Sequence, residues 1–295
     1  MLRLSLIPLI IVALAVWGFS APSAAKYAPE VAAGLRNIAL ASALKHTDPA
    51  LALLENAIQA SDIAENTQSS EQAEIARLQT KTSIAAIADL PNAADLPWRD
   101  WFQAEKGVHP DVAYQLFRVG SQLNDTQALE WAKELDLRTT PADLRLEAHK
   151  VLWQQDPRLA VQRGHRLVRE APRGTEFLHA RYVSEVIGPL SNPLCEQVLL
   201  NVAHRDGLES QARTLAIQAV VDRKAYHLAA DMAALYHAST GDLLVRKRGL
   251  KAAVTLDVEI GKQALMGDIP NKDVHPGLYS LVRELRQELN LPPID

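Results

Sequence analysis

From Tyr27 onward, apolar positions recur at helical spacing and almost never alternate. Val31, Leu35, Ile38 and Leu44 share one face of a helix over residues 28–45. Asp48-Pro49 then offers a capping carboxylate followed by a proline suited to the first turn, which predicts a helix through about Ala60. Ser61 to Ser70 is polar and interrupts the pattern. A third helix, over residues 70–90, carries Ile75, Leu78, Ile84 and Ile87, and the proline-bearing stretch 89–97 reads as a boundary.

Beyond that boundary the punctuation becomes regular. Pro110-Asp111, Asn124-Asp125, Thr140-Pro141, Asp156-Pro157, Gly174-Thr175, Asn192-Pro193 and Gly241-Asp242 each open a helix, while Gly188-Pro189 and Asp206-Gly207 each close one. Two further helices are predicted over 208–221 and 223–238, and a last one over 276–290. Blocks headed by Ala113, Ala148, Ala180, Ala212 and Lys247 return every 32 to 35 residues. Leu116, Val151, Val183, Leu215 and Leu250 follow three places later. Units this short bury their apolar faces only by stacking on one another. The chain therefore reads as all-α: an elongated α-solenoid of antiparallel helix hairpins, preceded by an N-terminal membrane-anchor or signal helix. Residues 1–25 form that leader, 26–97 an N-terminal helical region and 98–291 the repeat domain.

The stretch Asp242-Leu-Leu-Val-Arg-Lys-Arg-Gly-Leu-Lys-Ala-Ala resembles the second helix of a HEAT unit, in which an acidic residue precedes a basic one and an apolar stripe. Ala142-Asp-Leu-Arg-Leu-Glu-Ala-His-Lys-Val-Leu resembles it more faintly. The likeness covers residues 108 to 256, about half the chain, and extends loosely to tetratricopeptide arrays, whose Trp-Leu-Gly-Tyr signature is missing. It implies stacked helix pairs that present a protein-binding surface.

Leu4 to Ala25 holds no formal charge and follows a single basic residue, Arg3. Either this segment is an export signal with Ser23-x-Ala25 as its cleavage site, or it spans the bilayer uncleaved. Arg3 favours a cytoplasmic start, and both readings place the rest in a bacterial periplasm, anchored at the inner membrane by residues 4–25 in the second. Without residues 1–25 the chain carries 30 Lys and Arg against 35 Asp and Glu, a balance that argues against nucleic acid as a partner. Cys195 is the only cysteine, so no internal disulfide can form, and its apolar setting marks it as a small core residue.

The chemistry-bearing motifs are sparse. Neither a Gly-x-Ser-x-Gly elbow, a phosphate loop, nor a His/Cys set at ligand spacing occurs, so no catalytic residue, cofactor or metal is assigned. Glu105, Glu185 and Glu196 would be the acids of an alternative reading, an all-helical hydrolase or lyase acting on cell-wall glycans. The basic residues are more suggestive. Residues 138–181 carry nine Lys and Arg against five acids, and Arg158, Arg163, Arg166, Arg169 and Arg173 cluster with His165. Tyr114, His149, Arg181, Arg213 and Arg248 follow the repeated small positions and would form a ladder, with Glu209 placed to pair Arg213. Arginines in such arrays either link adjacent repeats or grip carboxylates bidentately. Trp98 and Trp101 precede the array as a cap or a docking patch. Together these residues point to a docking surface for a protein partner, an acidic one in one reading, or for anionic lipid headgroups or glycans.

Overall fold

A computed structural model of the protein describes residues 29–123, 125–135, 140–170, 178–238, 242–267 and 269–294. Every regular element among them is helical. The leader lies outside the described residues, and within them no helix is long and apolar enough to cross a membrane. The chain divides into two compact units, one up to Leu135 and one from Asp136 on.

In the first unit, α1 (Pro29–Ala43), α2 (Pro49–Asn66) and α3 (Ser70–Ile87) pack on one another. Asp48 caps α2 as its sequence requires, accepting the Leu51 N–H at 3.0 Å. α2 does not stop at Ala60. Ser61 and Ala64 are buried, so the polar stretch is one more turn and a half whose charged side faces water. The Thr80 hydroxyl ties α3 to α2 by donating to the Ala57 carbonyl at 3.3 Å.

α4 (Trp98–Glu105), α5 (Pro110–Leu123) and α6 (Asp125–Glu134) complete this unit. Their seam is aromatic: the Phe102 ring lies 5.6 Å from Phe117 and 6.5 Å from Trp131. A Cβ on Gly120 would stand 3.0 Å from the Trp131 ring and 3.1 Å from Trp98, so the glycine lets α5 close on both. Trp98 and Phe102 belong to the first unit's core, and the two units divide at 135/136.

Before α5, His109 joins three elements. Its Nδ1 lies 2.6 Å from a Glu105 carboxylate oxygen and its Nε2 lies 3.1 Å from Asp62 on α2. Burial opposes a charge there, but the two carboxylates outweigh it and raise the imidazole pKa.

The second unit contains α7 (Ala142–Gln155), α8 (Pro157–Glu170) and α9 (Leu178–Arg181), which runs on into a π-helical turn at Tyr182–Ile187. There follow α10 (Cys195–His204), α11 (Ser210–Asp222), α12 (Ala229–Ala238), α13 (Leu243–Leu256), α14 (Val258–Gly267) and α15 (Pro276–Glu288). Contacts run in chain order. α7 packs on α8 and on the π turn, which packs on α11; α11 packs on α13, and α13 on α15. Alongside this series, α8 packs on α10, α10 on α12 and α12 on α14. α15 buries Leu278, Leu281, Val282 and Leu285 and turns Ser280, Arg283, Glu284 and Gln287 outward.

The helix starts follow a register different from the one the alanines suggest. Helices begin at Pro110, Ala142, Ser210, Leu243 and Pro276, and the described part of α9 begins at Leu178. The third residues of the first five, Val112, Leu144, Ala212, Val245 and Leu278, are all buried, as is Ala180 of α9. Ala212 keeps that place. Ala148 sits one turn later, because small residues are also favoured four positions on along the same face, and Lys247 is two positions off. α14 was not expected; a single residue, Asp257, separates it from α13. The Asp257 carboxylate caps it, accepting the N–H groups of Glu259 and Ile260 at 2.9 and 3.1 Å.

Candidate docking surface

α8 follows Asp156, which accepts the Leu159 N–H at 3.1 Å. Its inner face is Ala160, Gly164, Leu167 and Val168. Gly164 sets the depth of the helix: a Cβ there would fall 2.7 Å from the Tyr182 hydroxyl oxygen and 3.1 Å from Val198 on α10. Beneath it lie groups with few polar options. Tyr182 accepts the Trp153 indole N–H at 3.2 Å, and burial raises its phenol pKa well above the usual range. His149 is fully buried, meets Tyr182 edge-on at 4.9 Å, and neither ring nitrogen has a hydrogen-bond partner among the described residues. Burial, reinforced by Arg163 and Arg145, lowers its pKa to about 3.

The outer face of α8 carries Arg158, Gln162, Arg166 and Arg169, all exposed. These positions are 4, 4 and 3 residues apart, which aligns them along one side of the helix. Arg158 and Arg169 have no acidic partner among the described residues. Arg163 is half-buried, and so is His165, whose Nδ1 shares a 2.7 Å hydrogen bond with the Asn201 amide; burial and Arg169 lower its pKa. Arg173 lies outside the described residues. The stripe is thus Arg158, Arg166 and Arg169, with Gln162 in the place sequence reasoning gave to Arg163.

The remaining arginines behave differently. The fourth residue of α7, α11 and α13 is Arg145, Arg213 and Arg246, so the ladder with Arg181 of α9 runs through Arg145 and Arg246 rather than His149 and Arg248. Arg213 Nε donates to the Ala203 carbonyl and Arg246 Nε to the Tyr236 carbonyl, each at 2.9 Å and each ten residues back, at the end of the preceding helix. Arg145 Nη2 reaches the Thr140 carbonyl at 2.7 Å. Arg286 Nη1 does the same for Leu265 at 2.8 Å, and Arg223 gathers the carbonyls of Ile187, Gly188 and Leu190. The last carbonyls of a helix lack intrahelical donors and carry partial negative charge, so a guanidinium is a fitting cap.

Two expected ladder members are therefore engaged internally. Arg213 is buried, with Asp206 and Asp242 at 3.3 and 3.7 Å, and offers nothing to an outside partner. Arg181 pairs with Asp143 of α7 and with Glu185, each at 2.7 Å, so it links neighbouring helices. Arg248 is exposed on α13. Trp98 is buried, its indole N–H bonded to the Ala93 carbonyl at 2.7 Å, while Trp101 lies half-exposed against it.

Among the described residues, each acid of the glycan-enzyme reading engages a different partner. Glu105 engages His109, Glu185 engages Arg181 and Glu196 lies 3.1 Å from His227. Among the described residues no three His, Cys, Asp or Glu side chains stand where they could hold a metal ion. Cys195 is buried and its thiol pKa is pushed up, chiefly by burial, to about 11, so thiolate chemistry near neutral pH is disfavoured. No family model matches the chain, and neither does a curated protein or a solved structure.

Proposed function

We propose that the chain is a scaffold of the bacterial envelope, delivered to or held at the inner membrane by residues 4–25, whose second unit is a solenoid of HEAT-like hairpins. The ordered contacts between helices one and two places apart, and the polar outer side of α15, support the solenoid. The α8 stripe is its docking surface for an acidic protein. One observation carries this: where buried arginines of this unit are latched to carbonyls, Arg158 and Arg169 stand exposed on one face without a carboxylate. Leaving guanidinium groups unpaired gains the fold nothing and favours encounter with an anionic surface.

The reading is tested with a fluorescent oligoglutamate peptide as the probe. Arg158→Ala combined with Arg166→Ala and Arg169→Ala should weaken capture by about tenfold or more, a loss of roughly 1.4 kcal/mol. Helicity should be unchanged, and Arg248→Ala should have little effect. Undiminished capture by the triple variant removes α8 from the proposal.

A further inference from the structure

We infer that the acidic partner of the α8 stripe is a second copy of this chain, docking through the outer face of its α2; this rests on α8 being a docking surface. The charge in the chain is unevenly divided. Residues 29–135 carry 8 Lys and Arg against 15 Asp and Glu, whereas residues 136–295 carry 21 against 20. The deficit is concentrated. From Thr47 to Ala76 there are six acids and no Lys or Arg.

On α2 the exposed line runs Leu51, Glu55, Gln59, Asp62 and Glu65. Glu55 and Glu65 have no cationic partner among the described residues, and Asp62 pairs with His109. The two stripes match in length and order. Arg158 to Arg169 spans about 16 Å and Glu55 to Glu65 about 15 Å at 1.5 Å per residue. Laid parallel, Arg158 meets Glu55, Gln162 meets Gln59 and Arg169 meets Glu65, while Arg166 and Asp62, each already engaged within its own chain, come to lie between the pairs. The central amides can hydrogen-bond each other, and Arg158 and Arg169 each meet a carboxylate they can grip with two N–H groups.

Such a contact joins two different patches, so it is heterologous. Exposed ion pairs are individually weak and are screened by salt, which makes the association modest in bulk solution and salt-dependent. Confinement of copies to one bilayer would raise their effective concentration and favour it.

The test is a charge swap in the full chain, followed by sedimentation velocity in mild-detergent micelles. Wild type should self-associate at low salt and dissociate at high salt. Glu55→Lys with Glu65→Lys gives a chain basic on both faces; Arg158→Glu with Arg169→Glu gives one acidic on both. Each alone should be monomeric, at least about tenfold weaker in self-association, and an equimolar mixture should recover a mixed complex. All four positions are exposed, and circular dichroism checks that the fold is kept. Failure of the mixture to associate, or self-association that ignores either pair of substitutions, overturns the inference. Wild type that stays monomeric but captures oligoglutamate overturns it too, and leaves the docking surface to a different acidic protein. Wild type that does neither overturns both readings.

Discussion

His109 and His149 sit one in each unit and have opposite electrostatic settings. His109 lies between two carboxylates, so its cation is favoured and it works as a clasp between α2 and the start of α5. His149 lies among aromatic side chains with arginines nearby, so its neutral form is favoured and it works as a core ring. The same contrast holds for the units as wholes. The first has an aromatic seam and a surplus of acid; the second caps its helix ends with guanidinium groups and is nearly neutral. A residue type alone therefore does not announce its role. What surrounds it does.

The largest effect should come from acid. His149 binds a proton in the unfolded chain below its ordinary value near 6.5 but resists one in the fold down to about 3. Its contribution is therefore whole above pH 6.5 and is lost progressively between 6.5 and 3, a loss on the order of a few kcal/mol. Hydrogen exchange at falling pH should show the second unit opening first, and His149→Leu should remove that sensitivity. Equal acid lability in the variant would break the contrast.

A smaller effect is expected at the latches. Arg246→Met removes the donor to the Tyr236 carbonyl and the cation set 5.3 Å above the Tyr236 ring. Calorimetry should show the second unit destabilised by about 1–3 kcal/mol. Arg246→Lys should rescue little of it, because an ammonium cannot reproduce the guanidinium fork.

The smallest effect belongs to the clasp. With a raised folded pKa, His109 contributes most below pH 6.5 and less as pH rises through that folded value. His109→Gln should flatten the pH dependence of the first unit's melting between pH 6 and 8, by less than about 1 kcal/mol since Asp62 is exposed. A variant that keeps the wild-type slope would assign the dependence to other groups.

The starts of α2, α5, α7, α8 and α13 were legible because Pro, Asp and Gly act locally, within a turn of where they stand. α14 escaped notice for the opposite reason: Asp257 is an adequate cap, but no proline or glycine advertises it. α4 was hidden by its aromatics, which drew attention as a patch although Trp98 and Phe102 are core. Among the arginines, sequence spacing located the basic cluster on α8. It could not separate Arg163 from Arg158, since that depends on how deeply the helix is seated. Nor could it tell that Arg213 and Arg246 reach back ten residues to a carbonyl, because backbone acceptors at a helix end leave no mark in the letters.

Gly164 has a practical consequence of its own. One hydrogen, where any other residue has a carbon, fixes how far the arginine row stands off the hairpin below. Gly164→Ala would lift or tilt that row while leaving its charge untouched. It offers a means of asking whether a partner senses the amount of positive charge or the height at which it is held.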